Sequence, residues 1–309
     1  MRAIAVLLVA FALVACGGST STNSSTTTTT TTTTAAAPDD AHGGRLFDSW
    51  ASETASDAFA PDDSSTPGQA DGRGGARGDG TLLFADGRAL LNDDGHDYRL
   101  KNLFGWDLRG RDGVYGPAHM NKSYALATDL LSWTGDGEAI ADRLERGDDV
   151  VPAFGPVLSR GDLEAIAAFV VGVRDGALPH PDAIYVRTTP DAGSYALLDG
   201  GDAARGHAMF AERCASCHGD DGTALLFDEG AYSLGSHARQ KAYEDWLKIL
   251  NGQPGTAMGR QLRGEDGDAM AQELLDLFAA LCDRTRFPVG AATRPDVPDA
   301  DPRCGAYLR

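Results

Sequence analysis

The sequence predicts a mainly α-helical protein with two folded segments, residues 80–178 and 197–309, behind a long polar leader. Three observations carry that expectation. Apolar residues recur at helical spacing near the end of each segment: Leu163, Ile166, Val170 and Val173 in one, and Met270, Leu274, Leu277, Phe278 and Leu281 in the other. The first of these closing helices starts at Ser159, spaced from Asp162 for a capping box, and the second starts near Asp266. Between the segments, LPHPDAIYVRTTPDAGS has three Pro and no helical period, so residues 179–196 read as a linker. Two segments that close alike suggest an internal repeat.

The leader comes first in the chain. MRAIAVLLVAFALVA places one Arg before an apolar run too short to span a bilayer, the pattern of an export signal over residues 1–15. It ends in Leu13-Val14-Ala15-Cys16, which resembles the lipobox of bacterial lipoproteins and implies lipid on Cys16. The expected location is therefore the bacterial envelope, lipid-anchored on the periplasmic side or the cell surface. Residues 16–79 are rich in Gly, Ser, Asp and an unbroken Thr26–Thr34 run, and read as a tether and linker. Within it, Arg45 to Phe59 is amphipathic and reads as a loose helix.

The net charge of −18 arises from 45 acidic and 27 basic residues. Such a balance excludes nucleic acid as a natural partner and favours a protein partner with a basic docking patch. General solvation of the surface explains the same charge equally well.

The five cysteines divide without remainder. Cys16 is the lipid site, Cys214 and Cys217 share one motif, and Cys282 and Cys304 remain for a compartment in which disulfides persist. The expectation is a Cys282–Cys304 bridge, with two free buried thiols as the alternative.

The motif is Gly206-His-Ala-Met-Phe210-Ala-Glu-Arg-Cys214-Ala-Ser-Cys217-His218-Gly219. Two Cys one helical turn apart can each form a thioether to a haem vinyl group, and the adjacent His reaches the iron from one face. A thioredoxin-like site would need a βαβ setting, and a structural zinc site would need a second ligand pair nearby; neither is visible. Asp202 is a good N-cap for the helix that leads in, and Gly206, Phe210 and Cys214 fall on one of its faces.

On these residues, 197–309 resembles the class I cytochrome c family. The resemblance implies a helical domain around one covalent haem c. Gly206 would permit a close crossing of first and last helices, with Phe210 near Phe278 or Leu277. It also implies a second axial ligand, Met258, in Asn251-Gly-Gln-Pro-Gly-Thr-Ala-Met258-Gly; the family's usual Pro after this Met is here Gly259. Met270 and His237 are the rival ligands, read instead as a core residue and a solvated loop histidine.

The first segment resembles the family more faintly. Leu100-Lys-Asn-Leu103-Phe104-Gly105 stands where Cys-x-x-Cys-His-Gly would be, and Val151-Pro152-Ala153-Phe154 stands in place of a Met-Pro-x-Phe loop. That implies a degenerate, haem-less cytochrome c-like domain whose first helix has given way to a β-hairpin-like stretch, TLLFADGRALLNDDGHDYRL. His96, His119 and Met120 read as solvated loop residues. The resulting expectation is one haem per chain, held by Cys214, Cys217, His218 and Met258, with iron ligation by the last two. The role implied is outer-sphere electron transfer between redox proteins, with no catalytic residues. The alternatives are a haem enzyme or ligand sensor with an opening axial site, and a subunit of a larger respiratory complex.

Overall fold

The computed structural model describes residues 39–54, 81–91, 96–116, 122–189, 191 and 193–309. Signal residues 1–15, Cys16, the Thr run, His119 and Met120 lie outside the described residues. The protein is mainly helical, with α1 Asp40–Thr54, α2 Leu100–Phe104, α3 Gly137–Arg146, α4 Arg160–Arg174, α5 Ala203–Arg213, α6 Ala215–His218, α7 Leu234–Asn251 and α8 Gly267–Leu281. The only sheet among the described residues pairs β1 (Tyr185–Arg187) antiparallel to β2 (Tyr195–Leu197).

The internal repeat is present, and it begins earlier than the sequence boundaries place it. α1 falls within 16–79, which the sequence assigns to tether, yet Leu46, Phe47 and Trp50 have no exposed surface. Its start matches that of α5. The Asp39 carboxylate accepts from the amides of Ala41 and His42 at 3.0 and 3.2 Å, as Asp202 accepts from Ala204 and Arg205 at 2.8 and 3.2 Å. Four residues on, Gly43 lies so close to the Ala165 carbonyl of α4 that a Cβ would overlap it, and Gly206 lies in the same way on the Asp276 carbonyl of α8. Phe47 and Phe210 follow one turn later, both buried. The helix missing from the first segment is therefore α1, displaced upstream by the intervening residues, and burial of its apolar stripe is why it is ordered.

The remaining elements match in order. α2 and α6 are single turns that end on Gly105 (φ 82, ψ 154) and Gly219 (φ 79, ψ 161), a backbone conformation that excludes most side chains. Three residues later Leu108 and Gly222 both take positive φ, and their carbonyls accept from the amides of Leu130 and Leu234 at 2.8 and 3.1 Å. α3 and α7 are N-capped by Asp136 and Ser233 and end on Gly147 and Gly252. The loops that follow close alike: Asp148 N donates to Val151 O at 2.8 Å and Gln253 N to Met258 O at 3.0 Å. Phe154 N donates to Leu144 O at 2.8 Å and Gln261 N to Ile249 O at 3.0 Å. Val151 and Met258 therefore occupy equivalent positions, the second loop being two residues longer. α4 begins with the expected Ser159–Asp162 capping box, and Asp266 caps α8.

Two further readings change. The linker segment folds as the β1–β2 hairpin, because Tyr185 and Tyr195 bury their rings against each other 5.6 Å apart. The stretch read as hairpin-like, residues 81–100, keeps one bridge between Leu83 and Ala89 and runs into α2 at Leu100, while 92–95 lie outside the described residues. One apolar core runs through both repeats. At the C-terminal end Cys282 and Cys304 form a disulfide with Cα atoms 6.0 Å apart, closing a loop of 22 residues; constraining the unfolded chain in this way stabilises by about 3 kcal/mol.

Because Gly206 has backbone against its α-carbon, Gly206→Val should cost about 2–3 kcal/mol in urea unfolding. The exposed Gly161, with only the Ser159 hydroxyl oxygen 3.9 Å from where its Cβ would be, should tolerate Ala without loss. Equal effects at the two positions would show that the crossing is not tight.

Candidate functional site

The second repeat brings Cys214, Cys217 and His218 into one turn. Cys214 ends α5, and its carbonyl accepts from the amides of Cys217 at 3.1 Å and His218 at 3.0 Å. Both thiols are free rather than joined. Cys217 is exposed; Cys214 is partly covered, and burial pushes its thiol up to about 11, against the opposing charge of Arg213. A thiol that stays protonated at neutral pH is a poor attacking group for disulfide exchange.

The His218 imidazole is pushed below its ordinary value by burial, which outweighs the pull of Asp245, so it stands neutral, the form that ligates metals. Its Nδ1 atom is buried without a hydrogen-bond partner among the described residues. The same holds for three polar atoms of α7: Asp245 Oδ2, Trp246 Nε1 and Asn251 Oδ1. Buried polar atoms normally find partners in the protein, in water or in a bound group.

Comparison of the repeats shows what is different about this turn. In the first repeat Leu100, Leu103, Phe104 and Val151 have no exposed surface. At the equivalent positions of the second, Cys214, His218 and Met258 are only partly covered and Cys217 is open to solvent. The turns end on the same glycine conformation, but one copy is filled by its own side chains and the other is not. Two free thiols, a neutral imidazole with an unpartnered nitrogen, and uncovered surface at all four positions suit a covalently attached haem. Met258 is on the loop after α7, and what relates it to the turn is repeat equivalence with Val151 rather than a direct contact with His218. Among the described residues no three His, Cys, Asp or Glu side chains gather as a metal site.

The rival ligands resolve differently. Met270 packs in the core, as read. His237 is a correction: it is a buried residue of α7, not a solvated loop histidine, because its ring is enclosed by Phe227 and Tyr232. Its Nδ1 lies 2.9 Å from Asp245 and its Nε2 3.9 Å from Glu244, so carboxylates face both nitrogens. His96 is likewise partly buried, its ring 5.2 Å from that of Tyr124. Phe210 packs its ring at 4.7 Å on Phe287, a partner the sequence reading missed.

No protein-family model matches the chain, and no curated protein matches it.

Burial lowers the His237 pKa, but the charge and hydrogen bond of Asp245, with Glu244, outweigh it and raise the value above 6.5. The pair therefore stabilises fully below about pH 6.5 and loses that contribution as pH rises through the folded-state value. In an NMR titration Asp245→Asn should move the His237 midpoint down; an unmoved midpoint would contradict the pairing.

Proposed function

We propose that this chain is a c-type cytochrome: an exported, lipid-anchored electron carrier with one haem, in which a cytochrome c-like second repeat follows a degenerate, haem-less first one. The observation that carries this reading is the contrast between equivalent turns, apolar and closed at Leu100–Phe104 but bearing free thiols and an imidazole, and open, at Cys214–His218.

The assignments follow the residues. Cys214, at the end of α5, and Cys217, on α6, would hold the haem as thioethers, each S–H adding across a vinyl C=C so that sulfur and proton both go to the vinyl carbons and nothing is released. His218, through a neutral imidazole nitrogen, and Met258, through its thioether sulfur, would hold the iron. Bound haem supplies a one-electron couple. With the iron held by both side chains, the chain would provide binding, orientation and exclusion of exogenous ligands, and no acid–base machinery is required of it. Electron exchange with protein partners would use the uncovered surface around Cys217, and the acidic charge would favour basic docking patches.

An envelope location is supported by the export pattern ending at Cys16 and by the Cys282–Cys304 disulfide, which suits an oxidising compartment. No helix among the described residues is long and apolar enough to cross a membrane.

The test is intact mass of the chain produced with a working haem-attachment system. The mature wild type should exceed its lipidated polypeptide mass by one haem, and Cys214→Ala/Cys217→Ala should lose that increment. Wild type at bare polypeptide mass would remove the reading.

A further inference from the structure

α1 presents two stripes. One faces α4: Gly43 sits on the Ala165 carbonyl, the Phe47 ring lies 5.6 Å from that of Phe169, and His42 Nε2 lies 3.1 Å from Asp162. This is the crossing shared by both repeats. The other stripe, Asp40, Gly44 and Asp48 at four-residue spacing, continued by Ser52 beyond a break in the helical backbone at Ser49 (φ −159, ψ 94), has no counterpart task in α5. It faces the end of α7 and the loop that carries Met258.

Each turn of this stripe makes a contact. Asp40 accepts from Arg260 at 2.7 Å. Gly44 lies against the Asn251 side chain, and the neighbouring Arg45 donates to the Asn251 carbonyl at 3.0 Å. Asp48 accepts from Lys248 Nζ at 2.8 Å, and the same ammonium donates to Gln253 Oε1 at 2.7 Å. The Ser52 carbonyl lies against Gly255, whose amide donates to Glu53 at 3.3 Å. From the first repeat's silent turn, Lys101 adds a buried pairing with Asp48.

The loop's own bonds are all local. Within 252–259 they are the Gly252–Gly259 bridge, Gln253 N to Met258 O, Thr256 N and Oγ1 to Gln253 O, and Met258 N to Thr256 Oγ1, while Gly255, Thr256 and Ala257 are exposed. A short exposed loop whose internal bonds are all of turn type opens locally at low cost. An axial thioether must nonetheless be held in place by the groups around it.

The geometry points to α1 as a positioning element for the Met258 loop, with Asp48 and Glu53 as the positioning residues. The haem-less repeat is then the brace of the haem-binding one, and its silent turn is kept because Lys101 completes the Asp48 cluster. The role rests on Met258 being an iron ligand; the contacts themselves do not.

Hydrogen exchange on the full mature chain tests it, comparing wild type with Glu53→Ala, Glu53→Gln and Asp48→Asn. In Glu53→Ala, amides over 253–259 should exchange about tenfold faster while those of α8 stay unchanged, the size expected on losing a charge-assisted bond. Glu53→Gln keeps an oxygen for the Gly255 amide and should recover most of the protection. In the haem-loaded Glu53→Ala protein the thioether–iron absorption band should disappear at lower pH than in wild type. Should Asp48→Asn fail to fold, Glu53→Ala decides alone. Unchanged loop exchange in folded Glu53→Ala, or a rise shared equally by α8, overturns the proposal. Colourless protein with faster loop exchange would keep the brace and remove the haem reading; coloured protein with unchanged loop exchange would do the reverse.

Discussion

Two helix crossings, each made at a glycine, hold the rest of the structure in place. At Gly43 and at Gly206 the chain lies directly on a carbonyl of the partner helix, a separation that any Cβ would prevent. Close approach at that point sets how α1 meets α4 and α5 meets α8, and the short turns α2 and α6 occupy matching places in the two copies. Because their backbones match down to the positive-φ glycine at the end of each turn, the different side chains they carry decide the different fates of the two copies. Leu, Leu and Phe close one; Cys, Cys and His leave the other uncovered.

Of two units with matching backbone contacts only one carries the Cys-x-x-Cys-His motif, which raises the question of what the other contributes. Leu100, Leu103 and Phe104 of its own turn are fully buried and belong to the common core. What it offers its neighbour is rigidity, through charged groups at the contact between α1 and α7. Lys101 and Lys248 surround Asp48 and, despite the burial that opposes its charge, hold its carboxyl down to about 2. Such a carboxylate is costly to leave unpaired, so the cluster fixes a particular packing of the two copies even where its net contribution to stability is small.

Much of this was legible in the sequence. The Asp202, Ser159 and Asp266 caps are local chemistry, read from residues within one turn. The cysteine pairing left few choices once one motif was set aside. α1 was legible only as a loose helix over Arg45 to Phe59; its start and its place in the repeat were missed although Asp39, Gly43 and Phe47 repeat the spacing of Asp202, Gly206 and Phe210. It was obscured by its place beside a low-complexity run, by consecutive glycines that lower helix propensity, and by the long insertion before α2. The β1–β2 hairpin was hidden by its prolines. The burial of His237 and Lys101 could not be read locally, because the groups that enclose or pair with them include residues on other elements.

In the function proposed, the Cys214–His218 turn is the open copy of a closed design, uncovered because a porphyrin belongs there. A crystal structure of the full chain matured with a haem-attachment system tests this most directly. It should show one porphyrin joined to both sulfurs, with iron between His218 and Met258 and no cofactor beside Leu100–Phe104. A Cys214–Cys217 disulfide, or a turn closed over by its own side chains as in the first repeat, would contradict it.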